Sequence, residues 1–436
     1  AAVYVNVGST LNMNGGAISG NTWTDAAMSG GGGIINCGTT TINGGEISQN
    51  HSATWGGGIL NTRGTVTPNG GEIKNNTAAQ GAGIATIGGG TPGTITILDG
   101  ASISGNRADS YGGGVYVQGV TYGDELSTVF EMRSGSITGN TAENVTGAGI
   151  FGYYYNGETI IRISGGTVAD NVSTEEGMGN AIGLYGINGD YAHLELSGSP
   201  VISGDVFFQN DYPDGYVIRV TDEFNPADPV VISRSNNAYE IVAVEYAAGV
   251  TPKAGDFASD AIFETLVIDG QTLKWASAGI VYFYADDEAE EEYEDFRQGV
   301  VIGGKIDPAN VPTPEKTGYT LEGWRVLGTE TVWNFDSDTV EGSRVELVAC
   351  WKLDAPAVSV SADTLTPHMG SDATLTAAAS HALDGVAYTY QWYKDGAPLE
   401  GETGSTLAAS ESGSYTVRVT AVDGQAVSAQ TGSAPA

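Results

Sequence analysis

The feature that most restricts this chain is a returning phrase: isoleucine, two small residues, asparagine, then a glycine cluster before another β-branched residue. It reads Ile47-Ser48-Gln49-Asn50 to Gly56-Gly57-Gly58-Ile59, then Ile73-Lys74-Asn75-Asn76 to Gly81-Ala82-Gly83-Ile84. It returns as Ile103-Ser104-Gly105-Asn106 to Gly112-Gly113-Gly114-Val115, and as Ile137-Thr138-Gly139-Asn140 to Gly147-Ala148-Gly149-Ile150. Looser copies hold Ile18 and Asn21, then Val168 and Asn171, and Ile202 with Asp205 closes the series. The asparagines Asn21, Asn50, Asn76, Asn106, Asn140 and Asn171 stand 29, 26, 30, 34 and 31 residues apart. A recurrence of that length is the signature of a solenoid.

Within each unit, alternating β-formers such as Thr39-Thr40-Thr41-Ile42 and Thr94-Ile95-Thr96-Ile97 are punctuated by glycine pairs, with no helical period. Asparagine tolerates the left-handed backbone, and its amide can hydrogen-bond to an identical amide one layer away. An isoleucine three residues before each asparagine places one apolar side chain per turn in a shared interior. The expected object is a right-handed parallel β-helix with one coil per unit. At about 4.8 Å per strand, seven coils make a rod roughly 34 Å long. The competing reading is a glycine-rich disordered tract, since 65 of 436 residues are glycine. Disorder does not keep an isoleucine in phase with an asparagine.

The phrase resembles the repeats of chlamydial polymorphic membrane proteins and related bacterial surface proteins, in which F-x-x-N is followed by G-G-A-I. Here isoleucine holds the aromatic position, and the second element reads GGGI, GAGI or GGGV.

With 17 basic against 52 acidic residues, a net charge of −35 repels nucleic acid and anionic membranes. The longest apolar run, Ala276 to Ala285, is too short to cross a bilayer, so no membrane insertion is expected. Cys37 and Cys350 fall in different expected domains and are read as buried small apolar residues, not as a disulfide or metal site. A chain opening at Ala1 inside repeat-like sequence is read as a processed or truncated product.

Residues 1–205 are read as regular coils, interrupted by longer turns at Thr22–Ser29, Gly88–Gly93, Gly119–Glu125 and Gly152–Glu158. Such excursions are where solenoids place recognition. The candidate contact residues are Tyr153, Tyr154, Tyr155 and Tyr122, with Tyr111, Tyr116 and Trp55 nearby, for stacking on sugar rings or a protein partner. The plainer reading is that these rings cover glycine-rich turns. Residues 206–285 keep strand-like runs (Tyr216–Val220, Pro229–Ser233, Glu240–Val244, Ile280–Tyr284) and read as irregular final coils and a β cap over an otherwise open edge. A small separate β domain would also fit that length.

Residues 286–295, DDEAEEEYED, hold eight acidic residues in ten positions and read as an extended, solvated linker; calcium is the alternative, without a defined loop spacing. Residues 296–353 carry Gly318-Tyr319-Thr320-Leu321-Glu322-Gly323-Trp324, Trp333-Asn334-Phe335 and Ala349-Cys350-Trp351. That order resembles the Listeria-Bacteroides repeat of internalin-type surface proteins, which implies a small β-grasp-like module. Residues 354–436 resemble an immunoglobulin-type sandwich: Trp392 in Tyr390-Gln391-Trp392-Tyr393, and a tyrosine corner at Glu411-Ser412-Gly413-Ser414-Tyr415. Leu375 and Val417 stand near where that family places its disulfide, so packing must replace it. Gln430 to Ala436 reads as the start of a linker.

Chemistry is hard to find. A lyase on such a scaffold needs a base beside a cation-holding carboxylate cluster, and an inverting hydrolase needs carboxylates at close range. Arg63, Lys74, Arg107, Arg133 and Arg162 are scattered, and His51, His193, His368 and His381 offer no metal spacing. Glu46 and Glu72 occupy the same place in consecutive units, where a like-charged pair either binds a cation or points into water. No nucleophile elbow or phosphate loop is present. The expectation is an all-β, non-enzymatic bacterial surface protein without a cofactor: extracellular, cell-wall attached, an adhesin or display rod binding a glycan or protein. A polysaccharide-acting enzyme and a fibre subunit associating end to end are the alternatives.

Overall fold

The computed structural model describes residues 1–27, 30–88, 94–120, 127–143, 146–174, 179–187, 190–209, 217–234, 242–287, 292–293, 296–364 and 371–435. They divide into two units, Ala1–Ala278 and Gly279–Ala436. Among the described residues the chain is almost entirely β, with short 3-10 turns such as Ala254–Asp256 and Pro308–Asn310.

The first unit is a parallel β-solenoid whose coils contribute to three sheets. In the first sheet Val3–Val5, Ile34–Asn36, Ile59–Asn61, Ile84–Ile87, Val115–Gly119, Ile150–Tyr154, Ile182–Ile187 and Asp205–Gln209 follow in parallel order. Val230–Arg234 and Phe257–Ser259 continue it beyond the last asparagine. The second sheet carries the longest strands, Thr10–Ser19, Thr39–Ser48, Thr94–Ser104 and Thr128–Thr138 among them. The third is built of short ones: Thr22–Trp23, His51–Trp55, Thr77–Gln80, Arg107–Ala108, Thr141–Ala142 and Val172–Ser173.

Register puts like on like. Ile18, Ile47, Ile73, Ile103, Ile137, Val168 and Ile202 are successive partners in the second sheet. Ile34, Ile59, Ile84, Val115, Ile150 and Ile182 do the same in the first. From Ile34 to Ile182 these last six are fully buried in one continuous core. Each such side chain is worth about 1.5–3 kcal/mol of burial, which a coil obtains only with a neighbour above and below.

The asparagines form an unbroken ladder. The Nδ2 of Asn21, Asn50, Asn76, Asn106 and Asn140 donates to the Oδ1 of the next at 2.8, 3.0, 2.9, 3.0 and 2.9 Å. That Oδ1 also accepts the preceding asparagine's backbone N–H, at 2.9 to 3.1 Å. From Asn50 onward the second Nδ2 hydrogen goes to a backbone carbonyl one coil back, as from Asn76 to Ile47 at 3.0 Å and from Asn106 to Ile73 at 2.9 Å, whereas Asn21 in the first coil uses its own Ser19 carbonyl at 3.1 Å. Buried amides are tolerated because all of these bonds are made. Asp205 leaves the series: lacking N–H groups, it accepts from the backbone of Gly179 (2.9 Å) and Asn180 (2.7 Å) instead.

The left-handed turn lies one residue earlier than expected from asparagine's tolerance. Gly20, Gln49, Asn75, Gly105, Gly139 and Asp170 have φ between 54° and 68°. The ladder asparagine is thereby free to point its amide inward. A second column of left-handed residues, Gly56, Gly81, Gly112 and Gly147, turns the chain from the third sheet into the first. At Gly45, φ 94°, a Cβ would lie 2.5 Å from the Gly16 carbonyl of the adjacent coil, so only glycine fits.

The last second-sheet strand, Val242–Tyr246, is covered by the antiparallel pair Glu264–Asp269 and Thr272–Ser277. Leu266, Leu273 and Trp275 enter the solenoid core there. Arg234 and Glu264, 6% and 2% exposed, form a two-point ion pair, with the guanidinium 4.2 Å from the centre of the Trp275 ring.

In the second unit, Ile280–Tyr284 pairs in parallel with Arg344–Val348 and not with the solenoid cap in which the sequence placed it. Phe283 and Trp324 meet edge to face in the same core. Of the acidic stretch expected as a linker, Asp286, Asp287, Glu292 and Tyr293 are described, and the rest lies outside the described residues. Tyr293 hydrogen-bonds to the Phe283 carbonyl at 2.9 Å and lays its ring against Trp324, while Asp287 pairs with Arg325 and Glu292 with Arg297. Ring burial and two guanidinium partners hold the run's described residues down against their mutual repulsion. Beyond it, one antiparallel sheet (Ala357–Ala362, Ala373–Ser380, Thr406–Ala409) and another (Ala397–Pro398, Ala387–Lys394, Tyr415–Asp423, Ala426–Ser433) share a core around the fully buried Trp392.

Replacing Asn106 with alanine strands the donors of Asn76 inside the core and should cost about 2–4 kcal/mol. Asn21→Ala at the half-buried end of the ladder should cost under about 1 kcal/mol. Urea unfolding of the two variants checks the order.

Candidate functional site

Strand alternation that sends Ile34 and Asn36 inward sends Ile35 outward, and register repeats this coil after coil. Tyr4, Ile35, Leu60, Ala85, Tyr116, Phe151, Gly183 and Phe207 therefore form one outward column on the first sheet. A parallel column two residues on contains Ile87, Gln118, Tyr153 and Tyr185. A solenoid's outer face is ordinarily polar; this one is apolar and aromatic.

The ring-bearing residues divide into two classes. Tyr116 is 3% exposed, and Tyr111 stacks on the buried Phe151 with centroids 4.3 Å apart, so these two cover the sheet. Burial pushes both phenols up, that of Tyr116 furthest. Tyr4, Tyr153, Tyr155 and Tyr185 stay at least partly accessible. Tyr155 is 54% exposed, and its ring lies 6.1 Å from that of Tyr153, which stacks on Tyr185 at 5.2 Å. Tyr4 is 62% exposed.

Tyr4, Trp55 and Tyr155 line one groove of about 460 Å³ along the first sheet. Its floor is Ile35, Leu60 and Ile87; Thr62, Arg63, Gln118 and Cys37 supply polar atoms. Trp55 is fixed by its indole N–H on Gln80 Oε1 at 2.6 Å, and the Tyr4 hydroxyl lies 3.4 Å from Cys37 Sγ. Cys37 is half-buried at this surface, not the core residue expected. From the first coil to that of Tyr155 the groove spans roughly 24 Å at about 4.8 Å per coil.

Of the four tyrosines expected at the site, Tyr155 reaches the groove. Tyr153 and Tyr154 extend the first-sheet strand Ile150–Tyr154 instead of looping out, because they pair with Gln118 and Gly119. Tyr154 is half-buried, and Tyr122 lies outside the described residues. Tyr4, Ile35 and Leu60 are groove residues that the sequence reading did not single out, although Ile35 and Leu60 each stand two residues after the last glycine of their cluster; Arg63, there only one of the scattered basic residues, lines the groove as well.

The other charged candidates are occupied. Glu46 and Glu72 are in register, and Lys74 Nζ lies 3.1 Å from the first and 2.5 Å from the second. The cation a like-charged pair invites is thus supplied by the chain, and the Lys74 ammonium is pushed up by Glu72 and Glu46. Arg107 pairs with Glu143, Arg133 with Glu131 and Arg162 with Glu195. Among the described residues no three His, Cys, Asp or Glu side chains converge as metal ligands. Among those residues, too, no helix is long and apolar enough to cross a membrane.

No protein-family model matches the chain, and no solved structure matches it. It is similar to the highly immunogenic outer capsid protein of Enterobacteria phage T4, with 28% identity over 136 residues, 31% of this chain. The match spans 36% of the phage protein's length. A parallel β-solenoid with a distant likeness to an outer capsid protein is compatible with a structural or surface-display role.

The two classes of ring should separate in stability. Tyr111→Ala uncovers Phe151 and should cost about 2–3 kcal/mol, whereas Tyr155→Ala should cost under about 1 kcal/mol. Thermal unfolding of both checks it.

Proposed function

We propose that this chain is a non-enzymatic extracellular surface protein of a bacterium, in which a right-handed β-helix serves as a stiff rod presenting the aromatic groove to a ligand. The observation that carries the reading is the groove itself: Tyr4, Trp55 and Tyr155, from coils far apart in sequence, converge on one accessible apolar strip. Accessible rings over an apolar floor favour recognition, since a merely structural rod gains nothing by leaving them in water. The pairing of Glu46, Glu72, Glu131, Glu143 and Glu195 with basic residues supports a non-catalytic outer surface.

The C-terminal unit fits spacers of the kind found in bacterial adhesins. Its last two sheets have the marks of an immunoglobulin-like sandwich: buried Trp392, and a Tyr415 hydroxyl donating to the Glu411 carbonyl at 2.8 Å as a tyrosine corner does. Leu375 and Val417 pack in the same core, filling the place of the family disulfide. The segment around Trp324, Trp333 and Trp351 fits a β-grasp-like module of the Listeria-Bacteroides kind. Attachment to a cell wall is part of the same proposal.

The test is the full chain on an array of glycans and extracellular-matrix proteins. The proposal expects a reproducible ligand whose binding falls about ten-fold or more with Trp55→Ala or Tyr155→Ala while the β-sheet circular dichroism is unchanged. A folded protein that binds nothing on the array contradicts it and leaves a purely structural role.

A further inference from the structure

Far from the aromatic groove in sequence, the last parallel coils bring together an amine, an amide and a carboxylate. The strands Ile218–Phe224 and Val242–Tyr246 are parallel partners one coil apart, and the residues that follow them meet. Lys253 Nζ donates to Asn225 Oδ1 at 2.7 Å, and Asn225 Nδ2 donates to Glu223 Oε1 at 3.1 Å. Both partners are held from behind. The Asn225 backbone N–H donates to the Gly198 carbonyl at 2.8 Å, and the Tyr246 hydroxyl donates to the Lys253 carbonyl at 3.0 Å. Lys253 lines a cavity of about 330 Å³ together with Phe224, Tyr246, Val250 and the carboxyl groups of Asp222, Glu223 and Asp256. Phe224 and Tyr246 are buried there, and burial pushes the Asp256 carboxyl up.

The residue after Asn225 is Pro226. An asparagine ordinarily loses its ammonia to attack by the next backbone nitrogen, and proline's nitrogen has no hydrogen to give up. The nucleophile placed at this carbonyl is the Lys253 amine. We propose that Lys253 and Asn225 join in an intramolecular amide cross-link, with Glu223 as the proton carrier. The free amine attacks Asn225 Cγ and a C–N bond forms. The Cγ–Nδ2 bond breaks, one amine proton passes by way of Glu223 to the departing nitrogen, and ammonia leaves. No other reactant is consumed. The two groups are already positioned by neighbouring coils, which is what makes such a step fast enough to matter. The link would close a loop from residue 225 to 253, where the parallel stack gives way to the antiparallel cap. A cross-link there restrains the unfolded chain as any closed loop does. This goes beyond the recognition reading and does not depend on it.

The test is peptide mapping of the full chain by mass spectrometry after incubation at about pH 7.5 and at about pH 9.5, where more of the amine is free. Trypsin cuts after Arg219, Arg234 and Lys274 but not after an acylated lysine, so the link yields residues 220–234 joined to residues 235–274. The joined peptide weighs one ammonia less than its two parts, and fragmentation places the junction at Asn225 and Lys253. More of it is expected at the higher pH. Lys253→Arg keeps the charge and should abolish the joined peptide, while Glu223→Gln should slow its formation about ten-fold. Separate peptides at both pH values, with cleavage after Lys253, overturn the inference. A joined peptide that persists in Lys253→Arg also overturns it. An unchanged rate in Glu223→Gln overturns the assignment of Glu223 as the carrier.

Discussion

A buried primary amide is tolerable only when both its hydrogens and its oxygen are engaged, and in this solenoid the partners of each lie in other coils. Asn106 receives from Asn76, gives to Asn140 and closes on the Ile73 carbonyl of the coil before. No coil can satisfy its own asparagine. The ladder therefore makes the stack cooperative as well as polar inside, since removing one rung exposes unmet groups on two neighbours. The isoleucine column three residues earlier has the opposite chemistry and the same logic: it is dry only because the next coil is there.

Once the interior is fixed this way, the outer surface is fixed too. Alternation along each first-sheet strand turns Ile35, Leu60 and Phe151 outward in a line, and the chain then has to decide residue by residue what covers them. Tyr111 covers Phe151. Trp55 leans over Ile35 and Leu60 but leaves a groove, which Tyr4 and Tyr155 border. A rigid column of short strands suits such a strip, because the distance between recognition groups is set by the coil spacing and not by loop conformation.

The parts readable in sequence are those that recur. Isoleucine and asparagine at a constant offset expose the coil length, the interior row and the ladder. Features with few repeats are harder. Asn36 donates to Asn61 at 2.9 Å on the first sheet, a second buried amide contact, but the next coil replaces it with Thr86, whose hydroxyl meets Thr96 at 2.7 Å. Two rungs do not make a visible period. The left-handed corner before each ladder asparagine was hidden by its variety, since Gly, Gln, Asn and Asp all occupy it. Local composition displays the charge of the acidic run but not the partners of its described residues: Tyr293 meets Trp324, Asp287 pairs with Arg325 and Glu292 with Arg297. The aromatic cluster could be found but not sorted, because whether a tyrosine covers or lines is decided by which coil lies beneath it.

The most direct test of the ladder is amide hydrogen exchange resolved to single residues. The backbone N–H groups of Asn50, Asn76, Asn106 and Asn140 each donate to the side chain of the next rung, outside the ordinary strand-to-strand pattern. If the rungs hold the stack together, these four should exchange only with global opening of the first unit, as slowly as the buried strand Ile59–Asn61. Exchange at the rate of an exposed turn such as that at Asn6–Ser9 would mean that the asparagines decorate the solenoid without sustaining it.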